Sequence, residues 1–98
     1  MANTYMKLYK DEYRTIEILV RDMAEDDFLI GTAVCHIEDN VGNIVMNETI
    51  AMVIGNKVRI TIPKTVTSVK GLYNVLWTIN KGGYEYKHKT ILNVEELS

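Results

Sequence analysis

The chain has one cysteine, one proline, one tryptophan and one phenylalanine among its 98 residues. A lone cysteine, Cys35, excludes an internal disulfide, so any core must hold without a covalent staple and nothing implies an oxidising compartment. A single proline, Pro63, with no biased tract leaves no sign of a long linker. No apolar run reaches the ~20 residues of a membrane-spanning helix. The first residues, Met1 to Lys7, lack the apolar stretch of a signal peptide. Charge of one sign is missing too: eleven Lys and Arg oppose thirteen Asp and Glu, interspersed, for a net −2. Nucleic-acid surfaces need a basic excess to displace counterions, so neither nucleic acid nor membrane is an expected partner. The phosphate-binding glycine loop, the nucleophile elbow, the zinc signature and the paired-carboxylate motif are all absent, which argues against an enzyme. The length suits one domain over residues 1–98, made in a cytoplasm, with one thin core.

What the sequence does have is alternation. From Gly71 to Ile79 every second residue is large and apolar: Tyr73, Val75, Trp77, Ile79. That period of two marks a strand with one buried face. Asn80-Lys81-Gly82-Gly83 reads as a tight turn. Beyond it Tyr84, Tyr86, His88, Thr90, Leu92 and Val94 share one face of a second strand. This hairpin carries the only Trp and three of six Tyr. It is therefore the expected keel of the core, with its tyrosines pointing inward. Arg14–Arg21 is a strand with Ile16, Ile18 and Val20 on one side and Thr15, Glu17 and Leu19 on the other. Thr32–Glu38 places Ala33, Cys35 and Ile37 on one face. Tyr5–Tyr9 and Ile44–Met46 are shorter strands, Asp22–Asp27 is an acidic loop, and Lys64–Lys70 is a polar connection.

Thr49–Ile54 and Lys57–Ile62 flank Gly55-Asn56, and two registers compete. A two-residue type II′ turn pairs Val53 with Val58 and Ala51 with Ile60. Ile50, Met52 and Ile54 then share an outer face with Lys57, Arg59 and Thr61. A three-residue loop would instead pair Ile54 with Val58 and Met52 with Ile60, burying everything apolar. The first register leaves an apolar stripe exposed, and such stripes mark partner surfaces. Ile50, Met52, Ile54, Lys57 and Arg59 are accordingly the candidate protein interface.

Other candidates have plainer readings. His36 and His88 lack converging ligands, and His88 beside Tyr86 reads as a structural, hydrogen-bonded histidine. Cys35 reads as a small buried apolar residue, not a nucleophile. The acids Asp22, Glu25, Asp26, Asp27 and Asp39 could gather for Ca²⁺, but Asp39–Asn43 departs from the EF-hand pattern and a solvated loop accounts for them. No catalytic residue, metal site or cofactor is expected. Lys81, Lys87 and Lys89 beside Tyr84 and Tyr86 hint at a basic-aromatic surface, equally explained as edge-strand lysines.

Seven or eight short strands with turns between them predict an all-β, antiparallel sandwich or barrel. Gly71-x-Tyr73 favours the sandwich, because immunoglobulin-like domains often place a tyrosine there whose hydroxyl bonds back to nearby backbone. In order, the chain offers Thr15-Ile16-Glu17-Ile18-Leu19-Val20, the Asp39-x-x-Gly42-Asn43 turn into Ile44-Val45, a strand ending in Ile62-Pro63, then Gly71-Leu72-Tyr73-Asn74-Val75. This order resembles small Ig-like domains of phage virion proteins, such as the N-terminal domain of baseplate upper proteins and related tail or head-fibre modules. The resemblance implies a virion structural protein that docks on other virion proteins, with self-association as a further partner. It carries no catalytic residues. The rival expectation is a carbohydrate- or cell-surface-binding module, which requires Trp77, or several of Tyr5, Tyr9, Tyr13, Tyr84 and Tyr86 in a row, to face solvent.

Overall fold

The computed structural model describes residues 4–20, 30–55, 57–81 and 83–96. The alternating segments form eight strands: β1 (Thr4–Tyr9), β2 (Arg14–Leu19), β3 (Ile30–Asp39), β4 (Ile44–Ile50), β5 (Met52–Ile54), β6 (Lys57–Ile62), β7 (Gly71–Lys81) and β8 (Tyr84–Glu95). They build a five-stranded sheet in the order β1-β8-β7-β3-β4 and a three-stranded sheet in the order β2-β6-β5. All neighbours run antiparallel except β1, which lies parallel to β8 from Thr4↔Thr90 to Tyr9↔Glu95. The architecture is an all-β sandwich, as the alternation requires.

The inward faces make the core. Ile16 and Ile18 from β2, Ala33, Cys35 and Ile37 from β3, and Val58, Ile60 and Ile62 from β6 meet Tyr73, Val75, Trp77 and Ile79 from β7. Leu8, Leu92 and Val94 close one side. Trp77 is fully buried. An indole removes on the order of 200 Å² from water, which contributes roughly 5 kcal/mol before entropic costs. Tyr73 donates its hydroxyl hydrogen to the Val69 carbonyl at 2.5 Å, pinning the start of β7 to the preceding connection. Burial, with Asp39 beside it, pushes the Tyr73 phenol above its ordinary value, so the group stays a donor.

Three sequence expectations change. The connection after Pro63 holds a single helical turn, α1 (Lys64–Thr67), with Val66 and Thr67 buried. Thr67 Oγ1 donates to the Glu12 carbonyl at 2.8 Å and its own carbonyl accepts from Asp11 N at 2.9 Å, tying α1 to the β1–β2 turn. Secondly, Tyr84 is exposed and does not point into a core. The hairpin strands are 11 and 12 residues long, but the facing strands β2, β6 and β5 have 6, 6 and 3. At ~3.3 Å per residue the hairpin outruns the sheet that would cover it. Thirdly, Thr49–Ile54 is not one strand. It leaves the larger sheet at Ile50 and enters the smaller one at Met52. The proposed acidic loop at Asp22–Asp27 falls outside the described residues.

Replacing Tyr73 with Phe removes the hydroxyl that donates to the Val69 carbonyl while keeping the ring. The expected loss is roughly 1–2 kcal/mol, read as a lower urea midpoint with an unchanged slope.

Candidate protein interface

Between Ile54 and Lys57 the chain turns through Gly55, whose φ of 59° is a conformation that favours glycine. The pairs are Met52↔Arg59, Val53↔Val58 and Ile54↔Lys57, which is the two-residue register. Turn chemistry therefore prevails over the pattern that would have buried every apolar residue. Met52 is 61% exposed and Ile54 45%. Lys57 and Arg59 are exposed beside them.

Ile50 stands apart from this group. It pairs with Val34 on the larger sheet, and no pair joins it to Thr61. Ala51, expected opposite Ile60, instead donates its N–H to the Ala33 carbonyl at 2.9 Å and is buried. The small methyl lets the chain step between the sheets at this point. Ile50, 83% exposed, thus sits at the rim where the two outer faces meet, two residues from Met52.

The smaller sheet's outer face is ordered in rows. Leu19 and Ile54 flank Lys57, Glu17 and Met52 flank Arg59, and Thr15 faces Thr61. Glu17 binds Arg59 through a short charge-assisted hydrogen bond and holds Lys57 Nζ at 3.8 Å. The hydrogen bond from Arg59 lowers the Glu17 carboxyl below its ordinary value, reinforced by the charges of Arg59 and Lys57. The cations are therefore partly neutralised within the sheet. What remains outward is Leu19, Met52 and Ile54 around a central ion cluster. Leu19, which is 50% exposed, and Glu17 were not among the sequence candidates. The signal was present, since an apolar residue in the outward register of β2 has no core to enter.

The sheet edges offer less. Tyr9 N–H donates to Glu12 Oε1 at 2.9 Å, and Arg14 Nη1 reaches the Lys7 carbonyl at 3.4 Å. Glu12 and Arg14 pair at 3.5 Å, so one charged pair covers part of the outer edge of β1. On the opposite edge, β4 is irregular on both sides of Ile37, and bulges of this kind resist strand addition.

The reactive candidates find structural roles. Cys35 is buried across from Trp77, and burial pushes its thiol up to about 12. Asp39 accepts from Val41 N at 3.0 Å and Asn43 N at 2.9 Å, closing its own turn. Those bonds, led by the one from Asn43, lower its carboxyl. No group of three or more His, Cys, Asp or Glu converges among the described residues. Asp22, Glu25, Asp26 and Asp27 lie outside them. His36 bonds Glu38 at 2.8 Å and His88 lies 3.2 Å from Thr4 Oγ1. Of the residues named for glycan binding, Tyr5, Tyr13 and Tyr84 are exposed. Trp77 is buried, and Tyr84 lies at the hairpin tip, seven residues from Ile91, the partner of Tyr5.

No family model matches the chain, and no curated protein matches it. Among solved structures it is similar to a chain of the ZIG-8–RIG-5 IG1–IG1 heterodimer, with a TM-score of 0.51 and 13% identity over 95% of this chain and 82% of that one. That likeness shows the fold: an immunoglobulin-like β-sandwich. In disulfide-bearing members the second cysteine follows the corner tyrosine by two residues. Here that position is Val75, fully buried. Cys35 is expected to resist thiol reagents at pH 8 in the folded protein and to react once in denaturant, as an absorbance assay would record.

Proposed function

We propose that the domain is a non-enzymatic docking module of a phage particle, an accessory of the tail, baseplate or head. It holds neighbouring virion proteins, its own copies included, through apolar side chains on its outer faces. The observation that carries this is the unburied run Ile50, Met52, Ile54 with Leu19 alongside. Isolated exposed apolar residues are ordinary, but four on one rim and adjoining face form a patch. The ion cluster at its centre favours register over raw affinity, since exposed charge pairs contribute little energy. The charged pair beside β1 and the bulges of β4 disfavour strand addition at the larger sheet's edges. The virion assignment is supported by the order of strands and turns that resembles phage modules. The solved neighbour is itself one half of an Ig–Ig pair, which makes a second β-sandwich the first class of partner to try.

The triple variant Ile50→Thr, Met52→Ser, Ile54→Thr tests the reading. Each side chain is exposed, so unfolding stability is expected to change by less than about 1 kcal/mol in all. The wild-type chain is expected in density-banded phage particles by mass spectrometry, and the variant is expected to be depleted at least tenfold. Absence of the wild-type chain from particles overturns the virion role. Equal incorporation of the variant overturns the patch.

A further inference from the structure

Two opposite charges on the larger sheet's outer face have no match within the chain. Thr90 and Leu92 of β8 are buried, so Lys87, Lys89 and Ile91 face out. Most charges on this face are answered locally. Lys87 lies 3.2 Å from Glu85 and donates to Thr78 Oγ1, Glu38 is bound to His36, and Lys7 lies 5.6 Å over the Tyr9 ring. Lys89 of β8 and Glu48 of β4 form no ion pair among the described residues.

Strand register sets these two in one row. The irregularity between Cys35↔Thr49 and Ile37↔Met46 leaves Asn47 and Glu48 opposite His36. Thr49 takes the side of buried Cys35, which leaves exposed Glu48 on the outer one. His36 pairs with Leu76, and Leu76 with Lys89. Three strand spacings hold Glu48 and Lys89 about 14 Å apart, too far to meet in one chain.

A second copy brings them together. We infer that this face pairs with itself about a two-fold axis running along the strands, between β3 and β7. Such an axis lays β4 over the partner's β8, and β3 over the partner's β7. Glu48 then meets the partner's Lys89, and symmetry makes the contact twice. In the adjoining row Ile44, Glu38, Asn74 and Ile91 lie side by side. Ile44, which is exposed, meets the partner's Ile91, and Glu38 meets the partner's Asn74. Ile50, in the row of Val34, Thr78 and Lys87, comes over the partner's copy of a depression of about 470 Å³ lined in part by Leu76, Thr78, Lys87 and Lys89. Aligned sheets cross at about 30°, which offsets the outer strands by ~4 Å, less than the reach of a lysine.

The area suits a dissociable pair. β3, β7 and β8 have 10, 11 and 12 residues. With β4 they present roughly 600 Å² at ordinary strand spacing and rise. Two such faces bury about 1,200 Å², the lower end for a specific interface.

The inference rests on the reading of the domain as a docking module and names its partner as a second copy. It is tested by sedimentation of the full chain with Lys89→Glu and Glu48→Lys. Neither side chain has an ion partner in the monomer, so both variants are expected to fold with an unchanged urea midpoint. The wild-type chain is expected to dimerise below millimolar concentration. Each variant alone opposes like charges twice, and its dissociation constant is expected to rise roughly tenfold or more. An equal mixture of the two variants restores both contacts, as does the double variant, and each is expected to associate as wild type does. A wild-type chain still monomeric at millimolar concentration, single variants that self-associate unchanged, or a mixture no more associated than its parts overturns the proposal. Recovery of the chain from phage particles is a separate readout, so the docking reading stands or falls on its own.

Discussion

Trp77 imposes two demands that pull against each other. Its ring is the largest apolar group in the chain and belongs at the centre, but its N–H loses water when it goes there. An unpaired buried donor costs about 1–3 kcal/mol. Thr90 resolves the conflict from the next strand, and its hydroxyl then needs an outlet of its own, which Thr4 and His88 provide. β1 lies against β8 through its parallel ladder, the burial of Leu8 and the contact of Thr4 with Thr90.

The same economy shows in what stands where a disulfide is common. Val75 follows the corner tyrosine, and the only thiol, Cys35, packs across from Trp77 as an apolar filler. Stability then rests on packing and on hydrogen bonds that fasten connections to strands. Tyr73 fastens the start of β7, Thr67 the β1–β2 turn, and Asp39 the β3–β4 turn. Charged groups are used locally: Glu12 and Arg14 cover an edge, and Glu17 gathers Arg59 and Lys57. On the smaller sheet's outer face this leaves Leu19, Met52 and Ile54 exposed around that ion cluster.

Much of this was legible in the residues. Alternation placed Ile16, Ile18, Ala33, Cys35, Ile37, Tyr73, Val75, Trp77 and Ile79 inward, and all are buried. It also offered both registers of the Gly55-Asn56 hairpin without choosing. Periodicity counts faces, not partners, so it could not see that Ala51 leaves one sheet for the other. Nor could it see that Ile50 and Met52 belong to different faces of one rim. Leu19 was legible by the same alternation, which sets it on the outward side of β2, opposite Ile16 and Ile18.

The sequence by itself determined that this chain is a strand sandwich closed by an aromatic hairpin, because side chains alternating between water and oil admit few other solutions. Only the tertiary structure decided how far the hairpin overhangs its facing sheet, where the chain changes sheets and which apolar residues stay wet. It alone brought Thr4 to His88 and Thr90, across more than eighty residues of chain. Those outcomes depend on lengths and neighbours distant in sequence, which no local pattern encodes.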